Sequence, residues 1–244
     1  MVVVSYENII NMENKLLSAE MKMADLINSY PRLLRLIPRF GMKLGFGEER
    51  VKDVCLKADV SPTLFLLICN ISAFNNSLPK KSEIKQLNIS QLINYLKASH
   101  SEYIIKYIPE LEKSIVSVAG DVNCNSRSAN VISHFFDEYK EELLSHLSYE
   151  ENIVFPYIAN ILHKKITIGY SIEKFEENHS NIDIKLSDFK NILLKYLPAD
   201  CTSQSRYDAL ENLFILEKEV EIHSLIENKI LVPHVSFLEN LQSK

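Results

Sequence analysis

Apolar residues recur three and four positions apart along almost the whole chain, the spacing that puts them on one face of an α-helix. LINYLKASHSEYIIKYIPELEK and FEENHSNIDIKLSDFKNILLKYLP both carry this pattern. No convincing pair of alternating apolar and polar segments occurs, and no Asn-Gly hairpin signal stands between two apolar runs. The pattern predicts an all-α protein. It breaks at residues 119–126, around 164–169, and at 197–203, where Gly, Pro, Asn, Asp and Ser cluster. These breaks leave four long helices, roughly 89–117, 128–163, 168–197 and 203–241. Long helices joined by short loops fold back on one another, so the region is expected to form an antiparallel four-helix bundle. Upstream, FNNSLPKKSEIKQLN is polar and lacks an apolar face. It divides the chain into a small helical N-terminal domain, 1–74, a linker, 75–88, and the bundle, 89–244.

Composition narrows the function classes. The chain has 244 residues with 27 Lys+Arg against 32 Asp+Glu, a net charge of −5, which gives no electrostatic reason to expect nucleic acid or an anionic membrane as partner. A hydrophobic content of 46% supports a packed core and excludes wholesale disorder. The cysteines, Cys55, Cys69, Cys124 and Cys201, form no CxxC pair and are expected to be reduced thiols. The start, MVVVSYENIINMENK, has no basic n-region. The longest apolar run, Leu64–Cys69, is too short to span a bilayer. A cytoplasmic protein is the expectation.

Two segments match without gaps. HLSYEENIVFP, from His146 to Pro156, and HSLIENKILVP, from His223 to Pro233, lie on the second and fourth predicted helices. Residues i and i+4 share a helix face, so His146 points with Glu150 and His223 with Glu227. A single such pair is ordinarily an ion pair or a satisfied core histidine. Two copies on facing helices supply two imidazoles and two carboxylates to one point, a set suited to a pair of iron or manganese ions in a bundle core. The first and third helices add His100 and His179. Counted from the predicted helix ends, all these residues fall at one level to within about three residues, or roughly 3–5 Å of rise. Tyr103, Tyr149 and Glu151 are candidates to stand behind the ligands or line their pocket. His134, His163 and His234 lack partners at that depth and are expected to be surface or structural. Pro156 and Pro233 each remove a helical hydrogen bond and are expected to kink their helices, shaping the bundle end.

On these residues, 88–238 resembles the hemerythrin-like domain of the repair-of-iron-centres family, di-iron proteins linked to mending damaged iron–sulfur clusters. The resemblance rests on HLSYEENIVFP, EIHSLIENKILVP, His100 before YIPELEK, and His179 in FEENHSNIDIKL. It implies a non-haem centre of two iron ions, with His100, His146, His179 and His223 as terminal ligands and Glu150 and Glu227 as bridging carboxylates. It also implies small ligands such as NO, O₂ or peroxide at open metal positions, and iron–sulfur proteins as partners. The extra ligands of oxygen-carrying hemerythrins are not evident. The segment MADLINSYPRLLRLIPRFGMKLGFGEERVKDVC is similar to the family's leading domain, but Gly45-Phe46 stands where that domain carries adjacent cysteines.

Three functions follow as expectations. The first is a stress protein of the cluster-repair type working through NO or O₂ chemistry. The second is a non-enzymatic metal or gas sensor signalling through its N-terminal domain, a reading favoured by the missing cysteine pair. The third is a DNA-binding regulator, because ERVKDVCLKADVSPTLFLLICN can be read as helix-turn-helix. It ranks lowest: the second helix, capped by Ser61 with Pro62 at its first position, is too apolar for a groove.

Overall fold

A computed structural model describes residues 17–74, 78–120, 126–165, 170–178, 182–197 and 204–242. It is helical, and among the described residues the only β pairing is an isolated bridge between Lys22 and Arg50. The chain divides into two compact units, Met1–Tyr95 and Leu96–Lys244.

The first unit contains α1 (Met23–Ser29), a 3₁₀ turn (Pro31–Arg35), α2 (Leu36–Arg39), α3 (Val51–Lys57), α4 (Pro62–Phe74) and α5 (Lys81–Ile84). Met23, Leu26, Leu33, Val51, Leu64, Phe65 and Ile68 are fully buried in it. The Phe40 ring meets Phe65 edge-on at 5.3 Å and stacks on Tyr95 at 4.9 Å. The helix-turn-helix segment forms α3 and α4, and Ser61 Oγ accepts from the Leu64 N–H at 3.4 Å. Leu64, Phe65, Ile68, Cys69 and Ile71 of α4 are buried, so that helix packs a core rather than presenting a polar base-reading face.

The expected linker, 75–88, differs from the structure in its described part. Residues 78–88 include α5, and Ile84 and Leu87 are buried. The boundary between the units falls between Tyr95 and Leu96, inside α6 (Ile89–Glu102). Isolated apolar residues in a polar segment carry no periodicity, which is why the sequence pattern passes over this packing.

The second unit is built from four arms. The first is α6, a π turn at Tyr103–Tyr107 and α7 (Ile108–Ala119). The second is α8 (Ser126–Tyr149), a π turn at Glu150–Val154 and α9 (Phe155–Leu162). The third contains α10 (Ile172–Asn178), α11 (Ile182–Asn191) and a π turn at Ile192–Tyr196. The fourth is α12 (Gln204–Ile226), a π turn at Glu227–Leu231 and α13 (Val232–Gln242). The strongest packing places α7 and α11 each against both α8 and α12, so the second and fourth arms lie diagonally across the core.

The prolines do more than kink. Each of Tyr103, Glu150, Ile192 and Glu227 opens a π turn, and a proline follows six positions later: Pro109, Pro156, Pro198 and Pro233. A proline cannot donate to the carbonyl four residues back and its ring collides with that carbonyl. The turn widens instead, and in each case the N–H five residues beyond the first residue bonds its carbonyl, as Phe155 does to Glu150.

Candidate metal centre

The ligand candidates stand where the apolar stripe of each helix turns polar without changing phase. On α8 the buried face runs Ile132, Phe136, Tyr139, Leu143 and Leu147, then continues through Glu150. On α12 it runs Ala209, Leu213, Leu216 and Val220, then His223 and Glu227. On α6 it runs Leu92 and Leu96 to His100. Hydrophobic packing therefore fixes the direction in which these polar groups point.

They converge. His100, Glu150, His223 and Glu227 are all buried, and each offers a ligand atom within 4.8 Å of the others. Nε2 of His100 lies 2.9 Å from Glu150 Oε2 and 3.1 Å from Nε2 of His223. Nε2 of His223 lies 3.1 Å from Glu227 Oε1 and 3.7 Å from Glu150 Oε2. Nε2 of His146 lies 2.7 Å from the other Glu150 oxygen, Oε1. The structure thus brings together five of the six expected ligands; the sixth, His179, lies outside the described residues.

The buried acids and imidazoles of this cluster set one another's charge. Burial acts on Glu150 to raise its pKa, but hydrogen bonds from His100, His146 and His223 overcome it and hold the carboxyl well below the usual range. Glu227 goes the other way: burial and the Glu150 charge push it up to about 7. Burial alone would lower His223, yet the Glu227 and Glu150 carboxylates hold its imidazole up to about 10. His146 is likewise raised, its burial outweighed by Glu150. His100 is lowered, burial prevailing over Glu150 and Glu151.

Around the ligands, the Phe155 ring lies nearly parallel to His100 at 5.6 Å, and the Tyr103 ring meets His223 edge-on at 5.7 Å. The Tyr103 hydroxyl donates to the Glu219 carbonyl at 3.1 Å. Glu151 Oε1 accepts from Nδ1 of His100 at 2.9 Å. Tyr149 pairs with the Tyr170 hydroxyl at 3.0 Å. Tyr103, Leu143, Leu147 and Val220 line a small, mostly apolar cavity beside His146 and His223. His134 and His163 are exposed, whereas His234 is buried in α13. The sequence reading missed Lys97, whose Nζ lies 3.5 Å from Glu151 Oε2. Its position, three residues before His100 and hence one turn away on the same helix, was the available signal.

The donor chemistry fits a metal. Imidazole nitrogens and carboxylate oxygens suit iron, manganese or zinc. Two carboxylates buried within a few ångströms of each other are costly in an apolar core unless positive charge compensates them. Bound cations would supply that compensation. Glu150 faces His100 and His223 with one oxygen and His146 with the other, the disposition a carboxylate shared between two ions requires.

Comparison with known proteins points the same way. The hemerythrin HHE cation binding domain family matches residues 91–235. The iron-sulfur cluster repair protein ScdA of Staphylococcus haemolyticus (strain JCSC1435) is 20% identical over 224 residues, covering 88% of this chain and 98% of that protein. No helix among the described residues is long and apolar enough to cross a membrane.

Proposed function

The chain belongs to the hemerythrin HHE cation-binding domain family, and on that premise we propose that its bundle holds a non-haem centre of two iron ions and serves iron–sulfur cluster repair under nitrosative or oxidative stress. His100, His146 and His223 would hold the ions as terminal ligands, joined by His179 from outside the described residues, and Glu150 and Glu227 would be the carboxylates shared between them. The observation that carries this reading is the split at Glu150, with Oε2 2.9 Å from His100 and Oε1 2.7 Å from His146. The name and near full-length match of ScdA support the repair role. Manganese uses the same ligand types and is the alternative metal.

Bound iron supplies redox change and coordination of small ligands such as NO, O₂ or peroxide. The protein's own contribution is geometric and electrostatic. The His100 and His223 imidazoles are held with nitrogen toward the centre by Phe155 and Tyr103, which pack against their rings. Leu143, Leu147 and Val220 keep the adjoining cavity apolar, which favours uncharged diatomics over water.

A second reading, a metal or gas sensor that performs no repair, is favoured by the N-terminal unit. Gly45 and Phe46 replace the thiols of the family's leading domain. Of the described cysteines, Cys55 and Cys69 are both buried, and burial pushes the Cys55 thiol up to about 12, so neither offers a reactive thiolate.

Metal analysis tests the centre. The purified protein is expected to carry about two irons per chain, and His146→Ala and Glu227→Ala to carry fewer. Full metal content in both variants would overturn the ligand set. Reactivation of a damaged iron–sulfur dehydratase then separates the readings: recovery supports repair, and metal binding without recovery supports sensing.

A further inference from the structure

We propose that Glu151, backed by Lys97, is a positioning residue that fixes His100 as an Nε2 ligand and biases the centre toward its oxidised state. The inference rests on the di-iron reading above and deepens it.

Glu151 follows the bridging candidate Glu150 within the same π turn. Consecutive side chains of an α-helix diverge by about 100°, and the wider π turn reduces that angle. Glu150 enters the core while its neighbour reaches round the far side of His100. There Oε1 of Glu151 accepts from Nδ1 at 2.9 Å. A carboxylate accepts, so the Nδ1 proton stays in place, and a cation that displaces the proton His100 shares with Glu150 would meet the Nε2 lone pair. Phe155 holds the plane of the ring from one side. His100 is therefore fixed in both tautomer and orientation.

His223 is held differently. Its buried Nδ1 has no hydrogen-bond partner among the described residues. The two imidazoles that face the same Glu150 oxygen are inequivalent: one is backed by a carboxylate and the other is not. A carboxylate behind a ligating imidazole raises its basicity and strengthens its bond to the metal, more so for the higher oxidation state.

Lys97 opposes this. Its ammonium lies 3.5 Å from the second Glu151 oxygen and 5.6 Å over the Phe155 ring, one turn before His100. The Glu151 side chain is 34% exposed and that of Lys97 43%, so the pair links a fully buried ligand to solvent. Removing the anion and removing the cation should therefore move the centre in opposite directions. Loss of packing alone does not predict opposite signs.

The experiment compares iron-loaded wild type, Glu151→Gln, Glu151→Ala and Lys97→Gln by spectroelectrochemical titration and chelator competition. Glu151→Gln keeps the shape and an acceptor but loses the charge. It is expected to retain iron and shift the midpoint potential upward. Lys97→Gln is expected to shift it downward. Glu151→Ala is expected to bind iron about 10- to 100-fold more weakly, with the glutamine variant restoring most of that loss. Shifts in the same direction, or none, would overturn the proposal. His146→Ala run alongside distinguishes the failures. If it loses iron while the Glu151 and Lys97 variants match wild type, only this inference falls. If wild type itself binds no iron, the di-iron reading falls with it.

Discussion

A carboxyl whose pKa is pushed up to about 7 by burial and a neighbouring carboxylate is, in the metal-free protein at neutral pH, protonated about half the time. That is the state of Glu227, and His223 beside it keeps its proton until far higher pH. A metal ion must displace both protons before those groups can bind it. Metal binding is therefore expected to release protons at pH 7 and to weaken as pH falls, by about tenfold per unit for each proton displaced. Calorimetric titrations in buffers of differing ionisation enthalpy check this; binding independent of pH between 6 and 8 would contradict it. Glu227→Gln should reduce both the affinity and the proton count. At this scale the sequence was informative where spacing repeats: the His146/Glu150 and His223/Glu227 pairs are legible because i and i+4 share a face. The contacts of Glu151 with His100 and Lys97 were not legible as a unit, because they join two arms distant in the chain.

Helix ends and π turns govern the next scale. Three described helices, α2, α3 and α9, end alike. In each, the second residue past the last turn adopts a left-handed conformation, and its N–H and the following one bond back to carbonyls of the last turn. Gly41, with φ +69°, occupies this position after α2, where glycine is strain-free. Asp59 (φ 55°) and Lys164 (φ 56°) occupy it after α3 and α9 at a conformational cost. Lys164→Gly is expected to stabilise the protein by about 0.5 kcal/mol, and Gly41→Ala to destabilise it by about 1 kcal/mol. Denaturant melts measure both, and a stabilising Gly41→Ala would refute the assignment. Gln91 offers a second test. Its side chain accepts from the Ser61 N–H at 2.8 Å and donates to the Asp59 carbonyl at 2.7 Å. Gln91→Ala removes both bonds and, because the Asp59 carbonyl is open to water, should cost about 0.5–1.5 kcal/mol. The π turns were foreshadowed by prolines six residues after each start, but a proline alone signals a break. In the first, second and fourth arms, only the helix continuing beyond the proline shows that the chain widens by one residue and carries on.

For the molecule as a whole, buried polar groups that would destabilise an apolar core become assets once an ion binds them. Metal removal is expected to lower the melting temperature. An ion present at a hundred times its dissociation constant stabilises by about 2.7 kcal/mol per site, a shift of several degrees for a unit of this size. Scanning calorimetry with and without chelator measures it, and an unchanged melting profile would argue that the cluster is structural. The helical class and the expected helices, with soft ends, were written in the apolar periodicity, because helix faces must bury themselves whatever the arms' order. The candidate ligands were written there too, since they share the phase of the core residues. Tertiary structure alone decided that the second and fourth arms lie diagonally, so that both His/Glu pairs meet across the core. It also decided that Glu150 divides its oxygens between facing histidines, and that Ile84 and Leu87 pack inward from a polar segment. Periodicity specifies which way a side chain points from its own helix; which groups it then meets depends on how separate stretches of chain come together.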